Sequence, residues 1–155
     1  MLVRCLYASR VTKGTAASTL QAILEDSRKN NNKHGVTGVL VGAGDYFIQV
    51  LEGGRAQVCE TYNAITRDKR HHDVTLLVFE EIAQRNFEGW TMGEVLLDQV
   101  NPAVLLKYSA TMKLDPFSMS GSAMLALLHE LVASGTVICG NSTRSKRERR
   151  PAAKI

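Results

Sequence analysis

The sequence has no long apolar run and few cysteines, and both shortages narrow the classes of protein it can encode. No stretch approaches the roughly 20 apolar residues that a membrane-spanning helix requires, and Met1 leads into a strand-like run rather than a signal peptide. The three cysteines, Cys5, Cys59 and Cys139, are odd in number and lack metal-ligand spacing. We therefore expect a cytoplasmic protein with no membrane segment, disulfide framework or metal site.

The body of the chain also lacks net charge. Residues 141–155 carry six basic side chains against one acidic side chain, whereas the other 140 residues carry 13 basic and 14 acidic side chains. The formal net charge of +4 therefore belongs to the C-terminal stretch. At 155 residues, 45% of them hydrophobic, the chain is long enough for one domain with its own core.

Apolar periodicity predicts the order βαββαβ, followed by a shorter fifth strand. Spacings of three and four predict helices that end near Asn30 and Lys69. Alternating apolar runs predict strands at residues 2–9, on both sides of a turn at 42–45, at 74–79 and at 91–97. This order is typical of an α+β fold of the ferredoxin-like, split βαβ kind, with a five-stranded mixed sheet and two helices on one face.

The later part of the chain predicts a helical cap and a tail. A helix is expected to begin at Asn101-Pro102 and another to run over about 120–134. We place the core at residues 1–97, C-terminal helices on the other sheet face at 98–135, and a basic, flexible tail at 136–155.

Two polar side chains interrupt otherwise apolar strands. Gln49 shares a strand face with Phe47 and Leu51, and Tyr7 stands among apolar neighbours in the first strand. A buried polar group without a partner costs about 1–3 kcal/mol. We therefore expect both side chains to meet polar partners beneath the helices.

Further residues would complete a slot between the sheet and the two helices. Ile23 and Ile65, one from each helix, would form apolar walls. The polar candidates are Ser27, Asn30 and Asn31 near the end of the first helix and the exposed polar residues of 68–72, among them Asp68 and the donors Arg70 and His71. Such a slot suits a planar heteroaromatic ring with an anionic tail. Taken individually, each residue is more often a backbone-satisfied core side chain, a turn after a helix or a solvated cap than part of a ligand site.

Five motifs in order resemble the BLUF family of flavin-based blue-light sensors. They are LYAS at 6–9, NNKHGVTGVL at 31–40, FIQVLEG at 47–53, DKRHH at 68–72 and RNFEGWTM at 85–92. The match covers about residues 1–97, and the following stretch resembles the short stand-alone proteins of the cyanobacterial phototaxis type. The basic residues after Gly140 depart from that pattern.

The resemblance implies a blue-light photoreceptor that is not an enzyme. Tyr7 would donate an electron and a proton to the excited flavin, Gln49 would bridge Tyr7 to the ring, and Asn31 would contact its C4 carbonyl. The other implied flavin contacts are Ile23, Ser27, Asn30, Ile65, Asp68, Arg70 and His71. The family's usual relay residues correspond to Trp90 and Met92, whose spacing predicts one shared strand face. The implied cofactor is FAD, with FMN or riboflavin as alternatives.

Three other classes stay open at this point. Split βαβ sheets also bind RNA, and the terminus is basic, but the outer strands lack paired exposed aromatics. A small-molecule enzyme would need a nucleophile with a base, or a metal set, and neither is evident. A light-independent flavin redox or temperature sensor is the third. For a light sensor we expect a homo-oligomer, a separate downstream signalling protein, and no role for a membrane or nucleic acid.

Overall fold

One β-sheet organises the chain, and the computed structural model describes residues 1–13, 17–135 and 137–139. Among these residues the strands are β1 (Leu2–Val11), β2 (Thr37–Ala43), β3 (Tyr46–Gly54), β4 (His71–Ile82), β5 (Gly93–Leu96) and β6 (Val137–Cys139). Across the sheet they lie in the order β4-β1-β3-β2-β5-β6. Neighbouring strands are antiparallel except for the parallel pair β2 and β5.

The helices follow the predicted order. They are α1 (Ala17–His34), α2 (Arg55–Thr66) and α3 (Gly121–Ala133), with short 3₁₀ helices at Leu97–Gln99 and Pro102–Lys107. The order β1-α1-β2-β3-α2-β4 confirms the α+β, split βαβ prediction. No helix among the described residues is both long enough and apolar enough to cross a membrane.

The sheet has two cores, one on each face. On the inner face, α1 contributes Leu24 and α2 contributes Val58, and both pack against Val3, Cys5 and Leu51 of the strands. On the outer face, α3 buries four side chains against the strands: Met124, Leu127, Leu128 and Leu131. The C-terminal helix therefore covers the face opposite α1 and α2, as the sequence predicted.

Several boundaries differ from the prediction, each for a local reason. The first helix continues past Asn30 to His34, because the stop is Gly35, whose φ of +63° suits a helix terminus. The helix expected after Asn101 is a 3₁₀ helix whose first turn is capped by the Asn101 side chain, which accepts a hydrogen bond from the Ala103 N–H at 3.0 Å.

The edge of the sheet beyond β5 also differs. The predicted fifth strand at 91–97 is shortened to Gly93–Leu96, because the chain bends at Thr91 and Met92. Within the predicted tail, Val137–Cys139 form β6, which pairs antiparallel with β5. Val137 and Ile138 are β-branched, and this was the available signal for a strand. The basic residues of 141–155 lie outside the described residues.

Candidate functional site

The centre of the site is a pair of side chains on adjacent strands of the inner face. Tyr7 of β1 lies opposite Gln49 of β3 in the antiparallel register, and the two residues are 3% and 2% exposed. The Tyr7 hydroxyl donates a hydrogen bond to Gln49 Oε1, and Gln49 Nε2 lies 3.3 Å from the Met92 sulfur, which accepts. A linear chain of contacts therefore runs from Tyr7 through Gln49 to Met92.

The environment keeps Tyr7 protonated. Burial raises the pKa of the Tyr7 phenol far above its ordinary value, and the neighbouring Cys5, Tyr62 and Asp68 raise it further. Burial also raises the pKa of the Cys5 thiol to about 12, so Cys5 stays a protonated thiol at neutral pH. Tyr7 is therefore a neutral hydrogen-bond donor whose proton is retained unless the phenol is oxidised.

A cavity of about 220 Å³ opens above this pair, between α1 and α2. Ile23 of α1 and Ile65 of α2 both line it, in agreement with the predicted apolar walls. All nine residues predicted to contact the cofactor line the cavity: Ile23, Ser27, Asn30, Asn31, Gln49, Ile65, Asp68, Arg70 and His71. The structure thus brings together, in one cavity, nine residues that are up to 48 positions apart in the sequence.

Asn31 supplies a second amide at the cavity wall. It is 2% exposed, and its Nδ2 donates to the Thr91 carbonyl at 3.0 Å. Among the described residues this is the one hydrogen bond of the Asn31 side chain, and the residue also lines the cavity. Asn30, one position earlier on α1, lines the cavity from an exposed position.

The mouth of the cavity differs from the predicted cluster of exposed donors. Arg70 forms a bidentate pair with Asp68, with contacts of 2.6–3.0 Å, and its Nη1 donates to Asp26 at 3.0 Å. The hydrogen bond from Arg70 lowers the pKa of the Asp68 carboxyl, and the same contact raises the pKa of the Arg70 guanidinium. Two carboxylates thus surround one guanidinium, so Arg70 is not the exposed, unpaired donor that the sequence predicted.

His71 is also committed to the fold. It is 9% exposed, and its Nε2 lies 2.8 Å from the Ile65 carbonyl oxygen, while its Nδ1 lies 2.8 Å from Ser9 Oγ. A carbonyl oxygen can only accept, so Nε2 carries the proton. His71 therefore ties the end of α2 to β1 at the cavity rim and is not an exposed donor.

Trp90 and Met92 lie on opposite sides of the sheet. Met92 is 2% exposed and belongs to the inner core, whereas the half-buried Trp90 packs against the outer core. The expectation that they share one face is wrong, because both precede β5 in a stretch that lacks strand alternation. Met92 is the one that contacts Gln49.

Sequence reasoning missed other residues of the site. Asp26 is the unforeseen partner of Arg70; it lies three positions after Ile23 on α1, and that helical spacing was the available signal. Arg28, outside the cavity, donates from Nε to the Met92 carbonyl at 3.1 Å. The other lining residues not singled out for the site are His34, Leu40, Phe47, Glu60, Thr61 and Ala64.

The fold and the site together define a small α+β domain with a ring-sized slot over a hydrogen-bonded tyrosine–glutamine pair. The model of the BLUF family, described as sensors of blue light using FAD, matches residues 2–93. The chain belongs to the BLUF family. This match bears out the family resemblance and gives no support to the nucleic-acid-binding alternative.

Individual relatives agree with this assignment. The blue light- and temperature-regulated antirepressor BluF of Escherichia coli (strain K12) is 30% identical over 87 residues, which are 56% of this chain and 22% of the relative. The photoactivated adenylate cyclase subunit beta of Euglena gracilis is 30% identical over 92 residues, which are 59% of this chain and 11% of that protein. The chain thus spans about a fifth of the first relative and about a tenth of the second.

Solved structures show the same fold over most of the chain. The photo-activated state of BlsA superposes with a TM-score of 0.75 at 28% identity, covering 85% of this chain and 95% of that one. The dark state of BlrB, a BLUF protein, gives a TM-score of 0.72 at 29% identity, covering 86% and 96%. Because the family is one of sensors, light sensing rather than catalysis is the property that residues 2–93 share with it.

Proposed function

We propose that this protein is a flavin-binding blue-light photoreceptor whose switch is the chain of contacts Tyr7–Gln49–Met92. The observation that carries the proposal is that Gln49 uses both ends of its amide: Oε1 accepts from Tyr7, and Nε2 donates to the Met92 sulfur. An amide held in this way can be reversed, and reversal changes what each neighbour meets. Both neighbours are buried, so neither can turn to bulk water instead.

The cavity fits a flavin ring better than it fits a phosphate tail. Ile23 and Ile65 would flank the ring, and the amides of Asn31 and Gln49 would meet its polar edge. At the mouth, Arg70 is already paired with Asp68 and Asp26, so it offers little to a phosphate. We infer that affinity resides mainly in the ring; FAD is the proposed form, and FMN and riboflavin would bind through the same contacts.

A bound flavin would supply blue-light absorption and, when excited, an acceptor for one electron from Tyr7. Loss of an electron makes a phenol strongly acidic, and Gln49 Oε1 is placed to accept the Tyr7 proton. When electron and proton return to Tyr7, Gln49 is free to settle with its amide reversed. Nε2 then donates to the Tyr7 oxygen, and Oε1 faces the Met92 sulfur.

The reversed amide cannot keep Met92 where it is. A thioether sulfur has no proton to donate, so two acceptors would face each other in a buried site. The Met92 side chain, and with it the chain entering β5, must move to relieve this contact. We infer that this displacement is the output of the switch, and that it is read by a separate downstream protein.

We also infer that the photoreceptor works as a homo-oligomer in the cytoplasm. In the C-terminal cap, Leu106 is 52% exposed and Met112 is 57% exposed, and both are large apolar side chains. Burying them against a second copy would remove apolar area from water. Cys5 and Cys59 are both free thiols, which suits a reducing compartment.

Two isosteric changes test the switch. Tyr7→Phe keeps the ring and removes the hydroxyl, and Gln49→Leu keeps the side-chain volume and removes the amide. We expect both variants to retain flavin, released by heat and measured by its absorbance, but to lose the reversible red shift under blue light that we expect of the parent. Tyr62→Phe, at a ring 5.8 Å from Tyr7, is the control and should photocycle like the parent.

The outcomes separate the alternatives. A parent that stays colourless after reconstitution with FAD, FMN and riboflavin contradicts the flavin proposal. A yellow parent with no light response, but with a spectrum that changes with redox potential or temperature, supports the light-independent sensor. A full photocycle in Tyr7→Phe or Gln49→Leu refutes the assigned switch while leaving the flavin site intact.

A further inference from the structure

The backbone of Met92 is held from a direction that the photochemical site does not use. Arg28 of α1 donates from Nε to the Met92 carbonyl oxygen at 3.1 Å. Arg28 does not line the flavin cavity, and its side chain is half-buried between α1 and the chain entering β5. The residue that contacts Gln49 through its sulfur is therefore fixed to α1 through its carbonyl group.

A second contact from the same helix holds the preceding residue. Asn31 donates to the Thr91 carbonyl at 3.0 Å, three positions further along α1 than Arg28. Residues three apart lie on one helix face, so the two donors form a short row facing the 91–92 backbone. Of this row, Asn31 also reaches the flavin cavity and Arg28 does not.

The partner of Arg28 is a backbone carbonyl rather than a carboxylate, as it is for Arg67 and Arg85. Arg4, Arg55 and Arg70 each form an ion pair with a carboxylate. Among the described residues no carboxylate forms an ion pair with Arg28, and its recorded contact is a backbone carbonyl. A guanidinium N–H is a charged donor, and such hydrogen bonds are stronger than those between neutral groups. This bond therefore stabilises one particular position of the Met92 backbone.

We propose that Arg28 is a positioning residue that latches the Met92 carbonyl to α1 and so holds the chain entering β5 in its dark position. Its signalling role rests on the function proposed above, in which reversal of Gln49 displaces Met92. Displacement of Met92 away from Gln49 stretches or breaks the hydrogen bond to Arg28. The strength of this hydrogen bond therefore sets how strongly the dark state resists the displacement. The latch itself exists with or without flavin.

The test measures amide hydrogen exchange of residues 91–94 by mass spectrometry or NMR, in the dark, with and without flavin. Loss of one charged hydrogen bond at a half-buried site should make this segment exchange about three to ten times faster in Arg28→Ala. Lys29→Ala removes the same charge from the next, exposed position of α1 and should exchange like the parent. Amides in β1 and β3 serve as the internal reference.

The expected results in light complete the test. Arg28→Ala should keep the flavin red shift, because Tyr7 and Gln49 are untouched, while its light-minus-dark difference in exchange at 91–94 becomes smaller than in the parent. Parent-like exchange at 91–94 in dark Arg28→Ala overturns the latch. If neither parent nor variant shows a red shift, the proposed function fails, yet the dark comparison still decides whether Arg28 holds Met92.

Discussion

The hydrogen bond between Tyr7 and Gln49 makes a prediction that needs no flavin. In flavin-free protein, Tyr7→Phe leaves Gln49 Oε1 without its donor at a position only 2% exposed. Gln49→Leu leaves the Tyr7 hydroxyl without its acceptor at a position 3% exposed. Each change leaves one buried polar group without a hydrogen-bond partner, and this lowers the free energy of unfolding by about 1–3 kcal/mol.

The double variant is the informative one. With Phe and Leu at the two positions, neither side chain carries a polar group without a partner, and two apolar side chains of similar volume meet. The free energy lost by the double variant should therefore be smaller than the sum of the two single losses. We expect a coupling energy of about 1–3 kcal/mol, at the upper end for residues in contact.

Urea unfolding of the four proteins at neutral pH in the dark measures this coupling. The slopes must agree among the variants, because a changed slope would report a changed unfolded state rather than the lost bond. Tyr62→Phe is the control, since no hydrogen bond of the Tyr62 hydroxyl is recorded among the described residues, and it should change stability by less than about 0.5 kcal/mol. Additive losses within about 0.5 kcal/mol would show that the two side chains do not share a bond in solution.

Two further predictions concern the mouth and the C-terminal cap. The pKa of Asp68 is lowered in the folded state by Arg70, so the stabilisation from this carboxylate is present above the ordinary aspartate pKa of about 3.9 and is lost as pH falls through the lower folded value. Asp68→Asn should therefore lose less stability than the parent between pH 6 and pH 3, and the difference should be under about 1 kcal/mol because the pair is partly exposed. Equal losses in the two proteins would contradict the assignment. If the protein is an oligomer, light scattering at micromolar concentration should give the parent a mass above that of one chain. Leu106→Glu or Met112→Glu should give a lower mass than the parent. A parent that stays monomeric in dark and light contradicts the proposal of a homo-oligomer.

The two polar residues at the centre of the site could be predicted from strand alternation, whereas their pairing is what the family resemblance implies. Tyr7 and Gln49 interrupt apolar runs, and a polar residue on a buried face requires a partner on the neighbouring strand. The register then places them opposite each other. The walls followed in the same way, since Ile23 and Ile65 lie on the apolar stripes of two helices that cover one face.

Residues whose neighbours come from distant elements could not be placed in this way. The sequence places Arg70 two positions after Asp68, but no local pattern reveals that Asp26 on α1 completes the ion pair. The sequence therefore predicts an exposed donor where the structure has a paired arginine. His71 is similar, because its partners Ser9 and Ile65 belong to a strand and a helix that meet only in the fold. Local periodicity predicts on which face of a strand or helix a side chain lies, whereas the pairing of charges depends on distances between elements that meet only in the folded structure.

Trp90 and Met92 show the limit of periodicity itself. Two residues two positions apart share a face only where the chain is a regular strand. Here the chain bends at Thr91 and Met92 before β5 begins at Gly93, and the two side chains enter different cores. A short apolar run beside Gly89 and Gly93 was not enough to decide where the strand starts.

The connection between β4 and β5 explains how an event at Met92 can reach the C-terminal helix on the other face. Glu52, fully buried and paired with Arg4, accepts hydrogen bonds from the N–H groups of Asn86 and Phe87 at 2.8 and 2.9 Å, so this carboxylate anchors the start of the connection.

Beyond that anchor the chain crosses from one core to the other within a few residues. Phe87 is fully buried on the outer face, with its ring 5.3 Å from His129 of α3, and Met92 is buried on the inner face. Because Glu52 fixes the 86–87 backbone, we expect the proposed displacement of Met92 to be concentrated in residues 88–92 rather than spread along β4. Trp90 lies in the middle of this short span and packs against the outer core, where α3 also packs. One physical path from Gln49 to the C-terminal cap therefore runs through Met92 and Trp90 to the packing surface of α3, and it requires no sliding of the sheet as a whole.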